Sequence, residues 1–595
     1  MSPSLPYSPG LDGLRAVAVL AVVFYHWDTP FFDGGYLGVE MFFVISGYLI
    51  TTLLFNEIIE SKTISMYAFW SKRIRRLIPA LIVLLTSVMG YVAIFLPTEL
   101  LSLRTEVLAS LAYCINWFFI FQQQSYFEAF GRPSLLQHLW SLAIEEQFYF
   151  IWPILFLGLS RVLSRTVLVN VLILGSVSSF LWMAYLYEPF VDPSRIYYGT
   201  DSRAGSILLG SAGALLWTPW KNAKKEVALW KNMLGISSFL VLGIFFWQLD
   251  EFSSFLYQGG FFLFDMIVLL LIILVFDSTS WLSRLLSLPI FNYIGKRSYG
   301  LYLWHWPITQ VTIPDVDVFM PTINLVVLRL VLVVLCTELS YRFVEQPIRR
   351  WNTVGRQKPI RKLVALTLFF LVAFGVAFSR DVPQEPLVNK ESEEVEAAPL
   401  VVQKEVVEEL HIDEVDTTTP PLPPPVLDIT VVGDSVIQAM LPWATEASQH
   451  KFLIDADQSR SFLSGIDVIK ALKKKNDLSQ IVLIHLGNNG YINDEAFDQM
   501  MNELQDIPTV IFMTVHVPRK WEKKVNQTLH NGEERWSNVK VIDWHTFAKS
   551  QMSWFDNDKI HIQKKYFGCF TRFVIDSLAE LDHGVADYPN IPCPP

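Results

Sequence analysis

Long apolar runs recur from Leu11 to Phe378, separated by short polar or basic stretches. A helix needs about 20 apolar residues to cross a bilayer. On that measure the pattern predicts spans at 12–28, 37–58, 77–96, 139–160, 167–187, 204–218, 231–249, 257–276, 298–313, 322–343 and 362–379. The run 106–121 reads either as a twelfth span or as a re-entrant segment. From Asp428 the period changes. Short β-rich runs at 429–432, 481–485, 510–515 and 539–544 alternate with helical patterns at 462–475 and 494–505. That alternation predicts βαβ units and a parallel sheet covered on both faces. The expected architecture is a polytopic α-helical membrane domain of about 11 transmembrane helices (1–380), a linker (381–427) and an α/β/α domain (428–595).

Charge placement orients this arrangement. Basic clusters at Lys72–Arg76, Arg161 with Arg165, Lys221–Lys225, Lys296-Arg297 and Arg349–Lys362 fall between apolar runs. Positive loops stay in the cytoplasm. Eleven spans with 106–121 re-entrant put every cluster there, with the N-terminus inside and the C-terminal domain outside the plasma membrane. Hydrophobic residues make up 52% of the 595-residue chain and charged ones 17%, far from a soluble average. The net charge of -10 comes mostly from the run Asp381–Asp416, so it marks a linker and not a nucleic-acid partner. That segment is rich in Glu, Val and Pro and ends Pro423-Pro424-Pro425, the composition of an extended tether. Four cysteines are too few for a disulfide scaffold. Cys114 and Cys336 sit in apolar runs, whereas Cys569 and Cys593 lie in the outer region, where a bridge between them is chemically allowed. No His, Cys and carboxylate set has ligand spacing, so no metal is expected.

The C-terminal region carries three motifs in order. Val431-Val432-Gly433-Asp434-Ser435 ends the first strand, so Ser435 falls at the carboxyl edge of the sheet, where open α/β folds place their sites. Leu486-Gly487-Asn488-Asn489-Gly490 brings an asparagine to the same edge. Asp558-Lys559-Ile560-His561 supplies a carboxylate that can hold an imidazole's tautomer while its other nitrogen faces the serine. Asp556 is the competing acid. His485, His516 and His545 lie in or beside predicted strands and read as structural. The motifs resemble the SGNH hydrolase superfamily over about 428–582. That resemblance implies Ser435 as nucleophile, His561 as general base, Asp558 as its orienting partner and Asn489 as an oxyanion donor beside the Ser435 N–H. Two departures stand out: Gly490 follows Asn489 where most of the superfamily has Asp, and Asp455–Arg460 occupies the place of the usual second-block glycine.

Ionisable groups inside spans are costly and therefore candidates for function. Arg15 and His26 in the first run are 11 residues apart, about 16 Å along a helix and close to one face. Arg73 and Arg76 form an i, i+3 pair suited to phosphates. His138 and Glu145, seven residues apart, would share a face near His26. Glu146, Tyr149, Asp201, Arg203 and His305 are weaker candidates, and ion pairing explains Asp201 and Arg203 equally well. Gly35–Tyr48, Phe69–Pro79, His138–Tyr149, Tyr302–Pro307 and Glu345-Gln346-Pro347 together resemble the acyltransferase-3 family over about 7–350. The resemblance implies acetyl-CoA as donor and His26 as a base or acyl relay; the chemistry of Arg15, Arg73 and Arg76 fits contacts to the CoA phosphates, or equally anchoring at the inner membrane surface.

This combination resembles bacterial surface-polysaccharide O-acetyltransferases, and most closely the peptidoglycan O-acetyltransferases of Gram-positive bacteria. It implies transfer of acetyl from cytoplasmic acetyl-CoA through an acetyl-serine to a cell-wall glycan, at the 6-hydroxyl of N-acetylmuramic acid, giving lysozyme resistance. Three alternatives stay open: an O-antigen or exopolysaccharide acceptor, a tethered esterase, and a non-enzymatic transporter or glycan sensor.

Overall fold

The computed structural model describes residues 7–349, Gly375 and 428–593, apart from 123, 128–131, 189–191, 218–228, 250, 252, 277–279, 315–316, 445–450, 459, 520, 557–558, 582–590 and 592. The expected span 362–379 (Gly375 aside) and the tether lie outside the described residues. Every other expected span is helical over most of its length, with a kink at Gln258–Gly259 near the start of 257–276. The helices are α1 (Pro9–His26), α2 (Gly38–Ser61), α3 (Met66–Phe95), α4 (Leu100–Leu111), α5 (Ile115–Phe121), α6 (Leu139–Val162), α7 (Arg165–Leu186), α8 (Ser194–Tyr198) and α9 (Thr200–Leu216). Leu229–Gln248, Phe261–Val275, Pro289–Gln310 and Thr322–Ser340 follow.

Seven helices among the described residues are long and apolar enough to cross a membrane. α1, α9 and Pro289–Gln310 are not among them, and each carries charge: Asp12 and Arg15, Asp201 and Arg203, Lys296 and Arg297. These helices run through the interior, where other helices cover them. α9 meets α2 at glycines: a side chain at Gly47 would strike the Ile207 carbonyl, and one at Gly210 the Val44 carbonyl. Small residues that let backbones approach closely are the usual means of packing helices in lipid. The outer surface is apolar instead. Phe150, Ile151, Ile154 and Leu155 of α6 face outward, as do Leu240, Ile244 and Trp247 of Leu229–Gln248. Such a surface suits a bilayer and is unfavourable in water.

Of the two readings of 106–121, a single continuous twelfth span is excluded: α4 and α5 are broken at Ala112–Cys114, where Tyr113 takes φ 53°. One expectation is corrected here. Lys72–Arg76 is not a loop, because α3 begins at Met66 and runs for 30 residues. At 1.5 Å per residue it is about 45 Å long, so its basic first turns project beyond a hydrocarbon core of about 30 Å.

The C-terminal region is a five-stranded parallel sheet in the order β2-β1-β3-β4-β5. The strands are β1 (Asp428–Gly433), β2 (Lys451–Ala456), β3 (Ile481–His485), β4 (Thr509–Met513) and β5 (Val539–Ile542). Four match expected runs. β2 is an edge strand on which no residue is fully buried, and it carries only the three-residue apolar run Phe452–Ile454, shorter than those of the inner strands. The inner strands bury Ile429, Val431, Val482, Ile484, Val510 and Phe512 beneath the helices Phe462–Lys475, Asp494–Leu504, Glu522–Arg535 and Phe567–Leu581.

Cys569 and Cys593 are joined as a disulfide with Cα atoms 4.7 Å apart, tying the C-terminal segment to the helix Phe567–Leu581. Closing a loop of 24 residues restricts the unfolded chain by about 3 kcal/mol. Cys569→Ser is expected to lower the stability of this region by about that amount, read as faster proteolysis after the sheet region. Equal protease resistance with and without reductant would contradict it.

Candidate active site

β1 and β3 neighbour each other at the point where the strand order reverses, the place where open α/β sheets hold their sites. Ser435 stands just past β1. Asp434 turns the chain by accepting the Val436 N–H on its carboxylate at 3.0 Å, leaving Ser435 half-buried. His561 reaches across, with Nε2 2.9 Å from Ser435 Oγ. Asp558 lies outside the described residues. Asp556, the competing acid, contacts His561 through the backbone, donating its N–H to the His561 carbonyl at 2.8 Å.

The other wall follows β3. Gly487 holds φ at +111°, and a Cβ there would sit 2.9 Å from Ile492 and Val525 side chains, so glycine is required. The turn presents Asn488 and Asn489. Asn488 donates its amide to both Asp434 oxygens at 2.9 and 3.2 Å, tying the two loops together. Asn489 donates to the Arg460 carbonyl at 3.1 Å. An amide nitrogen carries two hydrogens, so one remains for an oxyanion. Arg460 braces this wall: its guanidinium donates to the Gly433 carbonyl at 3.1 Å and pairs with Asp455 at 2.6 Å. Linear spacing gave Arg460 and Asn488 no signal, because their partners lie on other strands. Burial raises the Asp434 carboxyl to about 6, although Asn488 and the Val436 N–H oppose the shift. Burial also lowers His485, under the Asn488 loop, to about 4.

The helical region holds a second group of polar residues. Arg15, Arg73, Arg76, Glu145 and Tyr149 line one cavity with Ser46, Ser141 and Tyr302. Tyr149 donates to Ser46 Oγ at 2.8 Å, and Ser46 donates to Glu145 at 2.9 Å. The Arg73 guanidinium lies over the Tyr149 ring, 4.9 Å from its centre.

His26 ends α1, while Arg15 lies 11 residues nearer its start. Its Nδ1 is 3.1 Å from His305 Nε2, and its Nε2 is 3.1 Å from the Tyr126 hydroxyl. His305 Nδ1 must donate to the Tyr302 carbonyl at 2.7 Å, since a carbonyl only accepts. For two neutral rings, His305 Nε2 then accepts from His26 Nδ1–H. The lone pair of His26 Nε2 therefore faces Tyr126. Trp306 closes the side, its ring 4.8 Å from that of His26.

Residues 8–342 match the acyltransferase domain family, more than half of the chain. The chain belongs to the acyltransferase-3 family. This acyltransferase is 33% identical to the peptidoglycan O-acetyltransferase OatA of Listeria monocytogenes, over 94% of this chain and 96% of that protein. It is 32% identical to YrhL of Bacillus subtilis, over 96% and 98% of the two chains, whose name carries the same activity provisionally. Among solved structures, the C-terminal catalytic domain of Streptococcus pneumoniae OatA with a methylsulfonyl adduct matches 27% of this chain and 98% of that domain, at 15% identity and a TM-score of 0.23.

Within this acyltransferase the expected residues sort by position. Ser435 meets His561, and Arg15, Arg73, Arg76, Glu145 and Tyr149 share one cavity. Glu145 is not beside His26: it faces the arginines, two turns of α6 away from His138. His138 packs against His305, ring centres 5.8 Å apart, and its Nε2 donates to the Leu303 carbonyl at 3.1 Å, so it supports His26 at one remove. Glu146 lines a different cavity with Ser110, Tyr113 and Tyr299. Asp201 pairs with Arg195 at 2.8 Å and Arg203 with the buried Glu40, a structural use of both. Tyr126 and Ser46 had no signal in the sequence, being one hydroxyl among many. Linear spacing shows no metal-ligand set, yet the fold gathers His516, Glu522 and His545, with one ligand atom from each within 4.8 Å of the others.

His485 provides a pH test. Its pKa is depressed on folding from 6.5 to about 4. The folded state thus binds fewer protons, and stability present above pH 6.5 is lost as pH falls toward 4. Relative to His485→Asn, the wild type is expected to lose about 3 kcal/mol of β3 amide protection between pH 7 and 4, after correction for intrinsic exchange rates. Parallel profiles for the two chains would refute this.

Proposed function

We propose that this acyltransferase moves acetyl from cytoplasmic acetyl-CoA across the plasma membrane and transfers it, through an acetyl-Ser435 intermediate, to the 6-hydroxyl of N-acetylmuramic acid in peptidoglycan. The N-terminus lies in the cytoplasm and the sheet domain outside, held on the tether 381–427 beyond an eleventh span. The basic start of α3 supports that orientation, as does the Cys569–Cys593 disulfide, which persists only in an oxidising compartment. The named activity of the Listeria relative supports the acceptor.

In the first stage, Arg15, Arg73 and Arg76 hold the CoA phosphates at the cavity on the inner side, and His26 takes part in passing acetyl toward the outer side. In the second, Ser435 Oγ attacks the acetyl carbonyl while His561 Nε2 accepts its proton, with Asp558 orienting the imidazole. The Ser435 N–H and the remaining Asn489 N–H receive the oxyanion. Collapse expels the donor group, which leaves with the proton from His561. The glycan hydroxyl then gives its proton to His561 and attacks acetyl-Ser435, restoring the serine. One observation carries the reading: the 2.9 Å contact between His561 and Ser435 occurs in the same chain as the arginine-lined cavity.

Ester-linked acetate on purified cell-wall glycan tests it. Ser435→Ala and His26→Ala are each expected to bring muramic 6-O-acetate to background. A rise in acetate with Ser435→Ala would make the chain an esterase, and no change in either would move the acceptor to another surface polysaccharide.

A further inference from the structure

The cluster of His516, Glu522 and His545 is built into the backbone around it. His516 follows β4, Glu522 opens the helix Glu522–Arg535, and His545 follows β5. The Val517 N–H donates to Glu522 Oε2 at 2.8 Å, and the His545 N–H donates to Thr514 Oγ1 at 2.9 Å. Glu522 then stands with Oε2 3.6 Å from His516 Nδ1 and Oε1 3.5 Å from His545 Nδ1, and one ligand atom from each residue lies within 4.8 Å of the others. A zinc tetrahedron has edges of about 3.3 Å for bonds of about 2.0 Å, so the side chains would close by up to about 1.5 Å around a bound ion.

His516 is 8% exposed, yet among the described residues neither of its ring nitrogens has a hydrogen-bond partner, and His545 Nδ1 has none. Buried polar atoms in native proteins are nearly always satisfied, so such exceptions call for a ligand. The set is two imidazoles and one carboxylate, which suits zinc and leaves a fourth position for water. The Lys549 ammonium acts electrostatically on His516 and opposes any cation held by charge alone. Calcium and magnesium, which rely on several oxygen ligands, are thereby disfavoured against a metal that bonds to imidazole.

We propose that His516, Glu522 and His545 form a binding site for a zinc-class divalent transition metal, which braces the segment carrying His561. The His516 ring packs on Phe555, ring centres 5.2 Å apart. Phe555 pairs with Ile562 in an antiparallel bridge, the residue next to His561. A metal fixing His516 therefore fixes one end of the catalytic loop, without touching Ser435.

The full-length chain in detergent, equilibrated with zinc and then desalted, tests this by metal analysis, with cobalt(II) absorption as a second probe. One equivalent of zinc is expected on the wild type. His545→Ala and Glu522→Gln are each expected to weaken binding by about tenfold or more. Glu522→Gln keeps an oxygen for the Val517 N–H, so its loss of metal does not depend on misfolding. Amide exchange across 555–562 should slow when zinc binds the wild type and stay unchanged in Glu522→Gln. Absence of retained metal, or equal retention in wild type and both variants, would overturn the site. Retained metal with no change in 555–562 exchange would overturn the brace.

Discussion

Inside a bilayer a polar side chain has no water to turn to, so each must find its partner within the protein. Glu40 is buried completely and holds both Arg203 and Ser206, the latter at 2.6 Å. Glu145 takes Ser46, and Ser46 takes Tyr149. His26 is held between His305 and Tyr126. These partnerships draw α1, α2, α6, α9 and Pro289–Gln310 together. They also leave two polar sites at opposite ends of α1: a cationic cavity around Arg15 and an imidazole cluster around His26. The apolar residues that remain cover the outside.

The same demand for satisfied polar groups organises the sheet. A parallel sheet delivers the ends of all its strands to one edge, and the strand order reverses beside β1. Asp434 is buried at that edge, and it is held by Asn488 and the Val436 N–H. One carboxylate therefore fixes both the serine turn and the asparagine turn. Arg460 ties the Gly433 carbonyl to Asp455, and its own carbonyl takes the Asn489 amide.

Local pattern revealed most of this. The apolar runs located the described helices, and alternation located four strands, because burial on both faces leaves an unbroken apolar record. Edge strand β2 left only the short run Phe452–Ile454, and the break at Tyr113 and the early start of α3 left no such record. The site divided along the same line. Ser435 and Asn489 were read from turns at strand ends and His561 from its spacing to Asp558; the fold brings Ser435 and His561 to 2.9 Å. Glu145 was misplaced, because a seven-residue spacing fixes a helix face but not the depth at which a partner waits. Tyr126, Asn488, Arg460 and the set of His516, Glu522 and His545 acquire meaning only through contacts between elements.

The central claim is that Ser435 receives its acetyl group by way of His26. The direct measurement uses the full chain in sealed proteoliposomes, with isotopically labelled acetyl-CoA on the side of Arg15 only and no glycan acceptor present. Mass spectrometry of the Ser435 peptide then reads the label. The account predicts labelled acetyl-Ser435 in the wild type and none with His26→Ala, although the His26→Ala sheet domain still hydrolyses a soluble acetyl ester. Equal labelling of Ser435 with and without His26 would contradict it.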